Sequence, residues 1–121
     1  MAKSNLPPVP STESYKEALL RIRGTMPEKH LQMLLAHYGA PNHTITATEL
    51  AKAVGYKGFQ AVNLQYGQLG RKLRDVMGYA AEGQASYVIA SFLPPGAEGN
   101  PDWLWIMHPE IARALEDLKW A

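Results

Sequence analysis

The sequence predicts an α+β fold, mostly helical, with a helix-turn-helix or winged-helix-like core, a C-terminal β-hairpin and a terminal helix. Three observations predict it. Up to Met77, apolar residues recur at the three- and four-residue spacing of amphipathic helices. After Gly78, two short segments are rich in the β-branched and aromatic residues of strands. A length of 121 residues suits one such domain and is too short for two ordinary ones.

The first ten residues predict a flexible lead-in, because their three prolines cannot lie inside a helix. Residues 11–121 are then expected to form a single domain. Its first helix is predicted from Ser11 to Gly24, where the glycine ends the pattern. The residues expected on the buried face of this helix are Tyr15, Ala18, Leu19 and Ile22.

A second helix is predicted to start with a capping box, in which Thr25 is the cap and Glu28 lies three residues later. Gly39 ends this helix. Its predicted apolar face consists of Leu31, Leu34, Leu35 and Tyr38.

A helix-turn-helix is predicted next. Thr46 and Glu49 repeat the capping box, and the short helix that they open stops at Gly55. A longer helix follows Gly58 and runs to about Met77. Its apolar stripe consists of Val62, Tyr66, Leu69, Leu73 and Val76. In proteins that bind DNA, the second helix of this motif commonly enters a groove of the duplex.

Two strands and a last helix are predicted after Gly78. Strand-like composition runs from Ser86 to Leu93 and from Trp103 to Met107, with a loop rich in proline and glycine between them. The alternate residues Trp103, Trp105 and Met107 favour a buried strand face, with a ligand or protein surface as the alternative. A helix then begins at the His-Pro-Glu sequence of residues 108–110.

Composition excludes several classes of function. The chain has no cysteine, which rules out disulfides, thiolate zinc sites and cysteine nucleophiles. It also lacks a nucleophile elbow and a Walker loop, so we expect neither an enzyme nor a cofactor. His30 and His37 are about 10 Å apart along one helix, too far to share a metal ion, so no metal site is expected. Without a signal peptide or a membrane span, the expected location is the cytoplasm.

The charge is unevenly distributed along the chain. Residues 1–74 contain 10 Lys or Arg against 4 Asp or Glu, whereas residues 75–121 contain 2 against 7. A basic surface on the first part of the chain attracts phosphates even though the net charge is only +1. This pattern permits an anionic partner, and a solvated basic face is the alternative.

One face of the long helix, opposite its apolar stripe, carries polar residues at helical spacing. These are Gln60, Asn63, Gly67, Arg71 and Arg74. Arginine binds phosphates, while asparagine and glutamine read base edges or donate to backbone oxygens. A solvated helix face explains the same pattern, but Gly67 favours close approach by a partner, because glycine within a helix costs about 1 kcal/mol relative to alanine.

The link before the long helix is a second candidate site. Tyr56, Lys57, Gly58 and Phe59 precede a helix N-terminus, where unpaired N–H groups and the helix dipole favour an anion. The alternative is that the two aromatic residues anchor the turn in the core. Among the other basic residues, His30 follows a lysine in the first helical turn and is interpreted as a phosphate contact or a surface histidine.

Three segments resemble the sulfur-binding domain of McrA-like, type IV restriction endonucleases. The segments are 44–56, 61–70 and 103–110, and the most specific parts are Gly55-Tyr56 and Asn63-Leu-Gln-Tyr-Gly67. That family recognises DNA in which sulfur replaces a non-bridging oxygen of the backbone, a phosphorothioate. The resemblance implies a shallow apolar sulfur cavity lined by the loop that enters the long helix.

The cavity residues that the resemblance implies are those from Tyr56 to Asn63, Ala61 among them, with Lys29 and His30 supplying positive charge. The family often has arginine where this sequence has these two basic residues. Its members that cut DNA add an HNH domain, commonly with cysteine-bound zinc, and we do not expect one in 121 residues without cysteine. We therefore expect a stand-alone reader of double-stranded phosphorothioate DNA in bacterial defence or restriction-modification, with a nuclease in trans as an open question.

Two other functions remain as alternatives. The first is a winged-helix regulator that reads bases through Gln60 and Asn63 and has no need for sulfur. The second is a protein-interaction adaptor of a defence system, which uses the hairpin and its tryptophan-rich strand.

Overall fold

The computed structural model describes residues 10–78, 85–96 and 102–121, and these form an α+β fold as predicted. The helices in these ranges are α1 (Thr12–Ile22), α2 (Glu28–Gly39), α3 (Ala47–Val54), α4 (Phe59–Met77) and α5 (Pro109–Asp117). The strands are β1 (Thr44–Ile45), β2 (Ala90–Leu93) and β3 (Leu104–Met107). Within this part of the chain, no helix is both long and apolar enough to cross a membrane.

The strands form one antiparallel sheet in the order β1-β3-β2. The predicted pairing of the two late strands is confirmed, and Phe92 lies opposite Trp105 in the register. Residues 85–88, however, form a 3₁₀ turn, so β2 starts later than its composition predicts. Strand β1 is only two residues long and carries no periodic signal in the sequence. The predicted lead-in before Pro10 and residues 97–101 of the predicted loop lie outside the described residues.

The helix starts depend on local hydrogen bonds. Ser11 caps α1, and the capping box of Thr46 and Glu49 is present at the start of α3. The other predicted capping box, that of Thr25 and Glu28, is wrong. The Thr25 hydroxyl donates to the carbonyl of Ile22 at 3.3 Å, because this residue belongs to a 3₁₀ turn that continues α1, and α2 begins at Glu28.

The buried face of α2 differs from the prediction by one residue along the chain. The structure buries His30, Met33, Leu34 and His37. Of the four residues predicted for this face, only Leu34 is fully buried. Two histidines therefore lie on the inner face, where leucine and tyrosine were predicted. A neutral imidazole can be buried when its nitrogens find hydrogen-bond partners, as both nitrogens of His37 and Nε2 of His30 do.

Helix α4 is the central element of the core. Its predicted stripe is confirmed, with Val62, Tyr66, Leu69 and Leu73 fully buried and Val76 packed against the cluster. Gly70 lies where α4 crosses the 3₁₀ turn of residues 85–88. A Cβ atom on Gly70 would come within 2.3 Å of the Ala85 carbonyl oxygen, so no larger residue fits there without a shift of the backbone.

Candidate nucleic-acid interface

The connection between α3 and α4, residues 55–59, forms a tight corner on the protein surface. Gly55 has a φ of 84°, a left-handed conformation that glycine adopts without strain, and it ends α3. Gly58 is the N-cap of α4, and it has no side chain with which to cap this helix start. The first N–H groups of a helix lack partners within it, and with the positive end of the helix dipole they favour an anion.

The aromatic residues of the corner have different environments. Tyr56 is half-buried and packs against the core, so it anchors the turn. Phe59 is 47% exposed and does not serve as an anchor. Lys57 is exposed, and Ala61 is half-buried in the first turn of α4. The corner thus combines a half-exposed apolar ring, a cation and a helix start whose N-cap is glycine.

Lys29 brings a second cation to this corner from the first turn of α2. Its ammonium donates to the Val54 carbonyl at the end of α3 and lies 5.5 Å from the centroid of the Tyr56 ring. The same nitrogen is 3.4 Å from the position that a Cβ atom on Gly55 would take. An ammonium has three N–H donors, and the bond to Val54 uses one of them. Lys29 therefore lies beside the corner, where the resemblance to sulfur-binding domains implies a positive charge.

The interpretation of His30 as a surface residue or phosphate contact is wrong. The side chain is fully buried, and its Nε2 donates to Oε1 of Gln65 at 2.7 Å. In the described structure its Nδ1 has no hydrogen-bond partner. Burial lowers the pKa of His30 below its ordinary value, so the ring is neutral at physiological pH. The side chain faces the core because α2 presents a different face from the one predicted.

The predicted polar face of α4 is accessible to a partner. Gln60, Asn63 and Arg71 are exposed, and Gly67 and Arg74 are half-buried. Leu64, which is not among the predicted residues, is 59% exposed beside them. A Cβ atom on Gly67 would have no neighbour within 4 Å in the described structure. No contact in this part of the chain therefore explains a glycine at this position.

A groove of about 660 Å³ opens beside the corner, between the start of α4 and the sheet. No pattern in the sequence predicts this groove. Its lining includes Phe59, Asn63, Tyr87, Phe92, Trp103 and Trp105. The large apolar side chains at the alternate positions 103, 105 and 107 are the one sequence signal in this region, and they favour a buried strand face. The structure buries Trp105 and Met107 but leaves Trp103 50% exposed. We call this recess the aromatic groove.

Stacked aromatic rings connect the aromatic groove with the core. Tyr87 meets Phe92 edge to face at 5.3 Å between centroids, and Phe92 stacks on Trp105 at 4.9 Å with 6° between the ring planes. Trp105 in turn stacks on Tyr66 at 5.6 Å. These pairs fix the floor of the groove, because each ring is held by the next one inward.

A buried hydrogen-bond network supports the inner end of this stack. His37 accepts from the Tyr66 hydroxyl at Nδ1 (2.9 Å) and donates from Nε2 to the Trp105 carbonyl (2.8 Å). These roles follow because a carbonyl can only accept. Burial lowers the pKa of His37 to about 4, so the ring is neutral at physiological pH. The network joins α2, α4 and β3 at one point.

No group of three or more His, Asp or Glu side chains that could hold a metal ion occurs in residues 10–78, 85–96 and 102–121. No family model, no curated protein and no solved structure matches this chain.

Proposed function

We propose that this protein binds double-stranded DNA with the exposed face of α4, and that the corner of residues 55–59 recognises a phosphorothioate in the DNA backbone. The environment of Gly67 carries the proposal. A glycine within a helix costs about 1 kcal/mol relative to alanine, and a Cβ atom here would have no neighbour within 4 Å among the described residues. Close approach of a DNA backbone to α4 gives a reason for the missing side chain.

The residues around Gly67 supply the groups that such an interface needs. Asn63, Arg71 and Arg74 lie about one or two helical turns away on the same face. Guanidinium groups bind phosphates, often with two hydrogen bonds, and an amide can donate to a backbone oxygen or read a base edge. The balance of 10 basic against 4 acidic residues in positions 1–74 favours this approach electrostatically.

The chemistry of the corner supports recognition of sulfur. Sulfur in a phosphorothioate is larger and less strongly hydrated than oxygen, so contact with the half-exposed Phe59 ring costs less desolvation. The positive end of the α4 dipole, Lys57 and the ammonium of Lys29 attract the negative charge of the same linkage. The resemblance of segments 44–56 and 61–70 to sulfur-binding domains points to the same region.

In this proposal the protein is a reader and performs no chemistry on the DNA. It acts in the cytoplasm as part of a bacterial defence or restriction-modification system. Cleavage of the recognised DNA requires a separate nuclease that acts in trans.

A gel-shift comparison of two duplexes with identical sequence, one with a phosphorothioate and one without, tests the proposal. We expect the modified duplex to bind at least about ten-fold more tightly, a difference of about 1.4 kcal/mol. Both affinities should fall between about 50 mM and about 200 mM salt, because phosphate contacts release counterions.

The same assay separates the two alternatives. Equal affinity for both duplexes, together with a preference for certain bases, would contradict sulfur recognition and favour a winged-helix regulator that uses Gln60 and Asn63. Absence of salt-dependent binding to any duplex would contradict DNA binding altogether and favour a protein-interaction adaptor.

A further inference from the structure

The aromatic groove is continuous with the face of α4 that we propose for DNA binding. Phe59 belongs to the corner and Asn63 to the polar face, and both line the groove. At a rise of 1.5 Å per residue, these two positions are about 6 Å apart along the helix axis. A nucleotide whose phosphate lies at the corner therefore has its own base, or a neighbouring one, next to the groove.

Three aromatic side chains in this groove are unusually exposed. Phe59, Tyr87 and Trp103 are 47%, 46% and 50% exposed, although each offers a large apolar surface. The volume of about 660 Å³ far exceeds what a single sulfur atom occupies and has room for a flat ring system. Of these three rings, Tyr87 belongs to the stack with Phe92 and Trp105, and rings held in this way offer a planar group a preformed surface at little cost in side-chain entropy.

The polar lining restricts the chemistry of the occupant. Asn63 and Thr48 contribute an amide and a hydroxyl, which pair with the donors and acceptors on the edge of a heterocycle. A planar, hydrogen-bonding ring satisfies these conditions.

We propose that the aromatic groove binds an unstacked nucleobase of the bound DNA, with Trp103 as its main stacking surface. This inference rests on the proposed DNA binding and adds a second recognition element beside the corner. Aromatic side chains that stack with bases are a general means of holding unpaired nucleotides. Extraction of a base costs least where the base is already mismatched or unpaired. The groove therefore favours DNA with a disturbed base pair next to the linkage held at the corner.

The test uses the full chain and two duplexes that carry the same phosphorothioate. One duplex is fully paired, and the other has a single mismatch at the base pair adjacent to the modified linkage. We expect the wild-type protein to bind the mismatched duplex about ten-fold more tightly, because less free energy is needed to extract a mismatched base from the stack. Trp103→Ala should remove this preference, and Trp103→Phe should retain most of it, since phenylalanine keeps an aromatic face.

Two control variants make the result specific. Leu20→Ala truncates another exposed apolar side chain, on α1, and should leave both affinities and their ratio unchanged. Arg71→Ala should lower both affinities and keep the ratio, because it removes a phosphate contact and not a base contact. Thermal unfolding of each variant confirms that it is folded.

The outcomes distinguish this inference from the function on which it rests. Equal wild-type affinity for the paired and mismatched duplexes, or a preference that survives in Trp103→Ala, would overturn the groove proposal while DNA binding stands. Loss of DNA binding in every arm would overturn both. Trp103-dependent binding of an arginine-containing peptide, without any Trp103 effect on DNA, would also overturn it and assign the groove to a protein partner.

Discussion

Gly67 and Gly70 lie three residues apart on α4, and their surroundings are opposite. A Cβ atom on Gly70 would come within 2.3 Å of the Ala85 carbonyl oxygen, whereas one on Gly67 would meet nothing within 4 Å of the described structure. Internal packing therefore requires the first glycine and does not require the second. The two positions allow packing and recognition to be tested separately in one helix.

The stabilities of the two alanine variants should change in opposite directions. Gly70→Ala should lower the free energy of unfolding by about 1–3 kcal/mol, because the methyl group forces α4 away from the turn of residues 85–88. Gly67→Ala should raise it by up to about 1 kcal/mol, because alanine is the better helix former. Urea denaturation measures both. A destabilised Gly67→Ala variant would show that packing also requires this glycine.

A large side chain at Gly67 should impair DNA binding without harm to the fold. We expect Gly67→Leu to weaken binding of both modified and unmodified duplexes by about ten-fold or more, a loss of at least about 1.4 kcal/mol, because leucine keeps the DNA backbone at a distance. Gly67→Leu and Gln68→Leu are compared in the same gel shift. The second variant places the same side chain on a neighbouring exposed position. Equal effects of the two would contradict a specific approach at Gly67.

The two arginines of α4 should contribute affinity but not discrimination. Arg71→Ala and Arg74→Ala should each weaken binding to modified and unmodified duplexes alike. Each should also reduce the slope of log K against log salt by about 0.9 if one phosphate contact is lost. Titrations at several salt concentrations measure the slope. An unchanged slope in both variants would mean that these guanidiniums do not contact phosphates.

A charged residue in place of Phe59 should abolish the preference for sulfur. Phe59→Glu replaces an apolar ring with a strongly hydrated group that repels the linkage, so the two duplexes should bind equally weakly. Leu64→Glu is the matched control, because Leu64 is an exposed apolar residue on the same helix. This control should lower both affinities and keep their ratio. If sulfur discrimination survives in Phe59→Glu, the cavity lies elsewhere.

The protein should lose stability as the pH falls below about 6.5, because His37 is neutral in the fold. Burial lowers the folded-state pKa of His37 to about 4, whereas the unfolded chain takes up a proton near pH 6.5. The stability that neutral His37 contributes is fully present above pH 6.5 and is lost as the pH falls from 6.5 to about 4. The free energy of unfolding decreases by about 3 kcal/mol over this range. His30, whose pKa is also lowered, acts in the same direction.

Urea denaturation at several pH values measures this dependence. His37→Gln should be less stable than wild type at pH 7, because the bonds to Tyr66 and Trp105 are weakened. It should lose less stability than wild type between pH 7 and pH 5. Parallel curves for the two proteins would exclude His37 as the source of the acid sensitivity.

The local sequence determined those features whose interactions span three or four residues. The capping box of Thr46 and Glu49 and the buried stripe of α4 follow from such spacing. The exposed polar face that includes Gly67 is the other side of the same helical period. Strand composition likewise predicted that two late segments pair, and Phe92 and Trp105 do lie opposite each other.

Tertiary structure alone decided the features that join distant segments. The inner face of α2 contains His37 because its partners, Tyr66 and Trp105, lie 29 and 68 residues further along the chain. The aromatic groove brings Phe59 of α4 to Trp103 beside β3. Spacing along a sequence indicates only which residues lie on the same face of a single helix or strand. The partner of that face, and any recess left between elements, depends on how the whole chain packs.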